Sequence, residues 1–131
     1  MSDLRARIKD TIEQEPVVAF VKGTHEQVYC GNSDRVLQAL RGVGAGFAAV
    51  DVLPDPQIRE ELSALSDWPT IPQVFVAGEL VGGADIVQEL AMTGQLEATL
   101  DEKLGETWRR PGDERTVSVT EGPGLRVVPG G

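Results

Sequence analysis

The sequence predicts an α/β fold with a mixed four-stranded sheet and helices on both faces. Three observations predict this class. Segments with apolar residues at helical spacing alternate with short, β-branched apolar runs. A helix joins the first two runs, which predicts a parallel pair, because only a crossover connection returns the chain in the same direction. The last two runs flank Ala77-Gly78, a tight-turn pair that predicts an antiparallel hairpin.

Each predicted element has a local reason. Helices are predicted where apolar residues recur every three or four positions, and strands where apolar runs are short and bounded by turn residues. In chain order the predicted elements are a helix over 3–14, a strand over 17–21, a helix from Cys30 to Gly42, a strand over 47–52, a helix over 56–65, paired strands over 73–76 and 79–81, and helices over 86–90 and 96–104. This αβαβαββαα order is the thioredoxin-like arrangement.

The chain divides into a domain over residues 1–104 and an extension over residues 105–131. Residues 108–112 resemble a linker, and alternating segments then surround the turn sequence at 121–124. This pattern predicts either a small hairpin or a disordered extension. An isolated hairpin is marginal in water, so disorder is favoured unless the extension docks on the domain or on a partner.

Composition and charge exclude several classes of partner. The formal net charge is −9, and residues 1–104 account for it with 8 basic and 17 acidic side chains. Binding to nucleic acid or to an anionic membrane needs clustered Lys and Arg, so neither partner is expected. No signal peptide and no membrane-spanning run are recognised. A single cysteine excludes an internal disulfide and predicts a reducing, cytoplasmic location.

Cys30 is the first candidate for chemistry. It lies between a predicted buried strand and a helix N-terminus, where unpaired N–H groups and the helix dipole stabilise a thiolate. The alternative is a small buried hydrophobic residue, but the following Gly31-Asn32-Ser33 is polar and open. Because position 33 is Ser, any redox cycle needs an outside thiol, and any metal centre needs outside ligands.

Two further segments are candidates for a binding site. Trp68-Pro69-Thr70-Ile71-Pro72 places a proline at a strand start that faces the thiol loop, where a cis bond would bring backbone groups beside the sulfur. Gly82-Gly83-Ala84-Asp85 opens a helix, where N–H groups bind an anion such as a carboxylate. The alternative for Asp85 is a simple helix cap.

Together these motifs form a recognisable series. In order, they are Lys22-Gly23-Thr24, Glu26-Gln27, Cys30-Gly31-x-Ser33, Arg59, Trp68-Pro69-Thr70-Ile71-Pro72-Gln73, Gly78-Glu79-Leu80-Val81-Gly82-Gly83 and Asp85-Ile86-Val87. Over residues 3–104, the chain resembles the monothiol glutaredoxins of the CGFS type. The extension lies outside the resemblance.

The resemblance implies a glutathione site. Lys22 and Arg59 would pair with glutathione, and Thr70-Ile71-Pro72, with Pro72 cis, would offer backbone hydrogen bonds to its cysteinyl part. Gly83, Ala84 and Asp85 would hold the γ-glutamyl end. These residue types suit a ligand with two carboxylates and one ammonium.

The resemblance also implies a 2Fe–2S cluster between two protomers. Four thiolates are needed, and Cys30 from each protomer with two bound glutathiones would supply them. The implied function is cluster assembly and transfer to iron–sulfur acceptor proteins by a homodimer. Two alternatives stay open: a glutathione-dependent monothiol oxidoreductase that acts on mixed disulfides, and a non-catalytic binding module.

Three positions depart from the family pattern. Asn32 replaces the family's Phe, which predicts a smaller, more polar and more hydrated surface beside the sulfur. His25 and Val28 replace prolines, which predicts a less rigid loop. His25 is the only histidine and is expected to be an exposed loop side chain.

Overall fold

A computed structural model describes residues 3–120 of the chain. Its helices are α1 (Asp3–Gln14), α2 (Gly31–Gly42), α3 (Pro56–Ser66), α4 (Ala84–Thr93) and α5 (Gln95–Leu104), and its strands are β1 (Val17–Val21), β2 (Phe47–Asp51), β3 (Gln73–Val76), β4 (Glu79–Gly82) and β5 (Glu114–Thr116). Within the described residues, no helix has the length and apolar content needed to cross a membrane.

The strands form one mixed sheet in the order β4-β3-β1-β2-β5 over residues 3–120. β1 and β2 are parallel, and β3 runs antiparallel to both β1 and β4. The predicted α/β, thioredoxin-like fold is therefore confirmed. The prediction of four strands is corrected to five, because the extension adds β5 parallel to β2 at the sheet edge.

Helices cover both faces of the sheet, as predicted. Along β1, Val17, Ala19 and Val21 face one apolar cluster, while Val18 and Phe20 face the other, following the two-residue period of a strand. The first cluster is completed by α2, α4 and α5, and the second by α1 and α3. Both faces of β1 are buried, so the strand that leads to Cys30 is fixed at the centre of the fold.

The described part of the extension packs on the domain. Trp108 is buried among the side chains of the first cluster, and its Nε1 donates to Asp101 Oδ1 at 2.7 Å. Val119 is buried in the second cluster. β5 carries the polar sequence Glu-Arg-Thr and pairs through its backbone, so its side-chain pattern does not mark it as a strand. The second arm of the predicted hairpin lies outside the described residues.

Trp108→Ala is expected to lower the free energy of unfolding by about 3–5 kcal/mol, because it removes a large buried side chain and leaves a cavity. Trp108→Phe keeps most of the packing and should cost less. Chemical denaturation of both variants measures these losses. A loss below about 1 kcal/mol for Trp108→Ala would mean that the extension does not share the core of the domain.

Candidate functional site

Cys30 is the N-cap residue of α2. Its backbone is extended, with φ −141° and ψ 129°, and its carbonyl accepts the first helical hydrogen bond from the Asp34 N–H at 3.0 Å. The residue is half-exposed. The thiol thus lies at the positive end of a 12-residue helix, close to N–H groups that have no partner within the helix.

The first turn of α2 stabilises the thiolate. The Ser33 backbone N–H makes the largest contribution, and the Asn32 N–H, the Ser33 hydroxyl and the positive charge of Lys22 add to it, so the pKa of Cys30 lies below its ordinary value despite partial burial. Ser33 is fully buried, and its Oγ accepts a hydrogen bond from the Lys22 N–H at 3.1 Å. The serine therefore links the end of β1 to the turn that holds the sulfur.

The loop from Gly23 to Tyr29 closes on itself. The Tyr29 N–H donates to the Lys22 carbonyl at 2.8 Å, and the Thr24 N–H donates to the Gln27 carbonyl at 2.8 Å. Gly23 has φ +130°, and a Cβ there would lie 2.3 Å from the Gln27 carbonyl oxygen, so only glycine fits. These bonds hold Lys22 and Cys30, the residues at the two ends of the loop, next to each other.

A groove, called here the α4 groove, opens between residues 68–72 and the N-terminus of α4. Its volume is about 470 Å³. Six of the predicted binding residues line it together: Thr70, Ile71, Pro72, Gly83, Ala84 and Asp85. Residues from two distant motifs therefore meet in one place, as the motif series implied.

Gln73 shapes one wall of the α4 groove. Its side chain is fully buried, and its Nε2 donates to the carbonyls of Trp68 at 2.9 Å and Thr70 at 3.2 Å. The Ile71–Pro72 peptide bond is cis, as the resemblance implied. The buried amide thus fixes the backbone of the loop that presents Thr70 and Ile71 to the groove.

The N-terminus of α4 forms the opposite wall. Gly83 is the N-cap, and a Cβ there would lie 3.3 Å from both the Pro72 carbonyl oxygen and Trp68 Nε1, so the two walls approach closely. The buried Trp68 Nε1 has no hydrogen-bond partner among the described residues. The N–H groups at the start of α4 are suited to an anion, whereas the buried indole N–H is shut off from the groove.

Arg35 is a groove residue that the sequence prediction missed. Its guanidinium donates to Asn32 Oδ1 at 3.0 Å, to Asp85 Oδ1 at 2.8 Å and to the Gln88 side chain, so it joins α2 to α4 across the groove. Asn32 lies three residues before it, which places both on one side of α2. The three-residue spacing could have indicated that Arg35 contacts Asn32. It could not indicate the contact with Asp85, which lies 50 positions away in the sequence.

The other predicted residues lie outside the lining of the groove. Lys22 and Cys30 lie together beside it, next to Asn32, which does line it. Arg59 is exposed on α3. His25 is partly exposed, and its N–H donates to Thr116 Oγ1 at 2.9 Å, a contact that the sequence did not predict.

Comparison with protein families and known relatives gives a consistent result. The Glutaredoxin family model matches residues 17–81. The chain is 46% identical over 96 residues to "Probable monothiol glutaredoxin 2" of Rickettsia typhi, covering 73% of this chain and 86% of that protein. It is 44% identical over 99 residues to monothiol glutaredoxin-S11 of Oryza sativa subsp. japonica, where the match covers 76% of this chain but only 20% of the much longer relative.

Solved structures support the same fold. A monomeric truncated mutant of Trypanosoma brucei 1-C-Grx1 has a TM-score of 0.69 and 40% identity, over 76% of this chain and 90% of the other. The buckwheat glutaredoxin–glutathione complex has a TM-score of 0.66 and 26% identity, over 76% and 88% of the two chains. The similarity to both therefore extends over most of each solved chain.

Ser33→Ala is expected to raise the pKa of the Cys30 thiol, because it removes the hydroxyl that supports the thiolate while keeping the backbone N–H. A higher pKa leaves less thiolate near neutral pH. Alkylation by iodoacetamide, followed as a function of pH, should therefore shift its midpoint upward. Ser118→Ala, which removes a hydroxyl of the extension, is the matched control. An unchanged or lower midpoint in Ser33→Ala would contradict the prediction.

Proposed function

Because this chain belongs to the monothiol glutaredoxin family, we propose that it is an iron–sulfur cluster carrier that acts in cluster assembly and transfer. Two copies of the chain share one 2Fe–2S cluster, and each copy binds one glutathione. The loaded homodimer delivers its cluster to acceptor proteins in the cytoplasm.

The number of available ligands supports a shared cluster. Four thiolates hold a 2Fe–2S cluster, and this chain has one cysteine. Among residues 3–120, no three His, Cys, Asp or Glu side chains lie together in a group that could hold a metal ion. Cys30 from two copies and the thiolates of two glutathiones make up the four. The half-exposed position of Cys30 leaves it open to a second copy.

The groups around the α4 groove support glutathione as the second thiol. The carboxylate of Asp85, whose side chain is 92% exposed and whose Oδ1 is paired with Arg35, suits the ammonium of glutathione through its second oxygen. The N–H groups at the start of α4 suit a carboxylate. Lys22, beside Cys30, and Arg59 are the cations proposed for the other carboxylate. The related buckwheat glutaredoxin is one solved with glutathione.

The observation that carries the proposal is the position of the Cys30 thiolate beside this groove. Asn32 follows Cys30 by two residues and lines the groove itself, so a thiol bound there lies next to the protein's own sulfur. Asn32 Oδ1 accepts from Arg35, which makes the surface beside the proposed cluster polar and hydrated. Asn32 stands at the position where the family has Phe.

A second candidate function is a glutathione-dependent monothiol oxidoreductase, which the lowered pKa of the half-exposed Cys30 favours. The Cys30 thiolate would attack the glutathione sulfur of a mixed disulfide, forming the Cys30–glutathione disulfide and releasing the substrate as a thiolate. A second glutathione thiolate would then attack that disulfide. The products would be oxidised glutathione and the regenerated Cys30 thiolate.

Anaerobic reconstitution with iron, sulfide and glutathione should give a visible chromophore and a dimer. Cys30→Ser should give neither, because half of the thiolate ligands are lost. The visible spectrum and size-exclusion chromatography measure both. Absence of a glutathione-dependent chromophore in the original chain would contradict the carrier function. If no chromophore forms and the protein instead turns over a glutathione mixed disulfide, the oxidoreductase function would be favoured.

Lys22→Ala is expected to weaken glutathione binding about tenfold or more, because a charge-assisted contact is worth about 1.5–3 kcal/mol and about 1.4 kcal/mol is a factor of ten in affinity. Arg59→Ala should also weaken it. Lys9→Ala, which removes a lysine of α1, is the matched control and should leave affinity unchanged. Isothermal titration calorimetry measures the dissociation constants. Unchanged affinity in both Lys22→Ala and Arg59→Ala would show that the assigned pocket is wrong.

A further inference from the structure

The extension reaches the loop that carries Cys30. Thr116, the last residue of β5, accepts a hydrogen bond from the His25 N–H at 2.9 Å through its Oγ1, and the same oxygen lies 2.7 Å from His25 Nδ1. These contacts join residues 91 positions apart. His25 is therefore bound through both its backbone and its ring to a segment outside the glutaredoxin resemblance.

Arg41 supplies a second connection between the same two segments. From the last turn of α2, its Nε donates to Glu114 Oε1 at 2.8 Å, while its Nη2 donates to the His25 carbonyl. The guanidinium thus bridges the first residue of β5 and the loop. Both backbone polar groups of His25 are paired, one with Thr116 and one with Arg41.

β5 is itself firmly anchored, so it can hold the loop in place. Residues 114–116 pair with residues 47–49 of β2, a strand buried in the core. Arg115 forms an ion pair with Glu15, and the carbonyl of the buried Val119 accepts from Arg7 Nε at 2.7 Å. The strand is fixed before and after Thr116.

We propose that β5 is a positioning element for the thiol site, in which Thr116 fixes His25 and thereby the loop between Lys22 and Cys30. The family's prolines stiffen this loop through its own backbone. Here His25 and Val28 replace them, and the extension supplies the constraint from outside the loop. Thr116 is the positioning residue, since it touches the loop and not the thiol.

The loop that contains His25 ends directly before Cys30. The Tyr29 N–H donates to the Lys22 carbonyl at 2.8 Å, and the Thr24 N–H donates to the Gln27 carbonyl at 2.8 Å, so His25 lies inside a hydrogen-bonded loop. Thr116 and Arg41 hold His25 from outside that loop. Releasing His25 from Thr116 removes the contact with β5, so the hydrogen bonds that close the loop open to solvent more often.

The test is Thr116→Val, which keeps the shape of an exposed β-branched side chain but removes the oxygen. Hydrogen exchange measured by NMR should show faster exchange of the His25 amide, which loses its acceptor, and of the Tyr29 amide, which closes the loop. The amides of β1 should keep their exchange rates, which distinguishes a released loop from a destabilised fold. Thr116→Ser should restore the slow exchange of both loop amides, since it returns the oxygen.

Ser118→Ala is the matched control, because Ser118 Oγ contacts Thr120 and not the loop. Unchanged exchange of the Tyr29 amide in Thr116→Val, or an equal change in Ser118→Ala, would overturn the inference. The inference rests on the proposed function in that the loop it concerns borders the proposed cluster ligand Cys30. Hydrogen exchange needs neither glutathione nor a cluster, so the positioning role and the carrier function fail or succeed separately.

Discussion

The stabilisation of the Cys30 thiolate by the N-terminus of α2 is the interaction on which the rest of the site depends. The Ser33 N–H contributes most to lowering the pKa of Cys30, while the Ser33 hydroxyl accepts a hydrogen bond from Lys22, the last residue before the loop. One buried serine thus couples the central strand, the loop and the thiol. The same position in a dithiol protein would carry a second cysteine, so the stabilised thiolate has no internal partner and must find one outside the chain.

The order of the strands places the α4 groove, the proposed site of the outside thiol, beside Cys30. β1 leads to Cys30, and its neighbour β3 begins beside the cis Ile71–Pro72 bond, so the thiol loop and the 68–72 loop lie at one end of adjacent strands. β4 then returns the chain to the start of α4. The α4 groove therefore follows from strand pairing, and Gly83 permits the close approach of its two walls.

Local signals account for what could be predicted from the sequence. Periodicity and turn residues predicted the order of nine elements, and the motifs predicted the six residues that meet in the α4 groove. Arg35, β5 and the His25–Thr116 contact were missed because each depends on a partner far along the chain. A three-residue strand of polar side chains carries no periodic pattern. The sequence of a helix does not show which distant carboxylate its arginine will contact.

We propose that each chain supplies one of the four thiolates that would hold a cluster, with the others coming from a second copy and from two glutathiones. Native mass spectrometry of the reconstituted protein distinguishes this arrangement from others. We expect a species that contains two chains, one 2Fe–2S cluster and two glutathiones, and that is lost in Cys30→Ser. A cluster-loaded species without glutathione, or with a single chain, would contradict it.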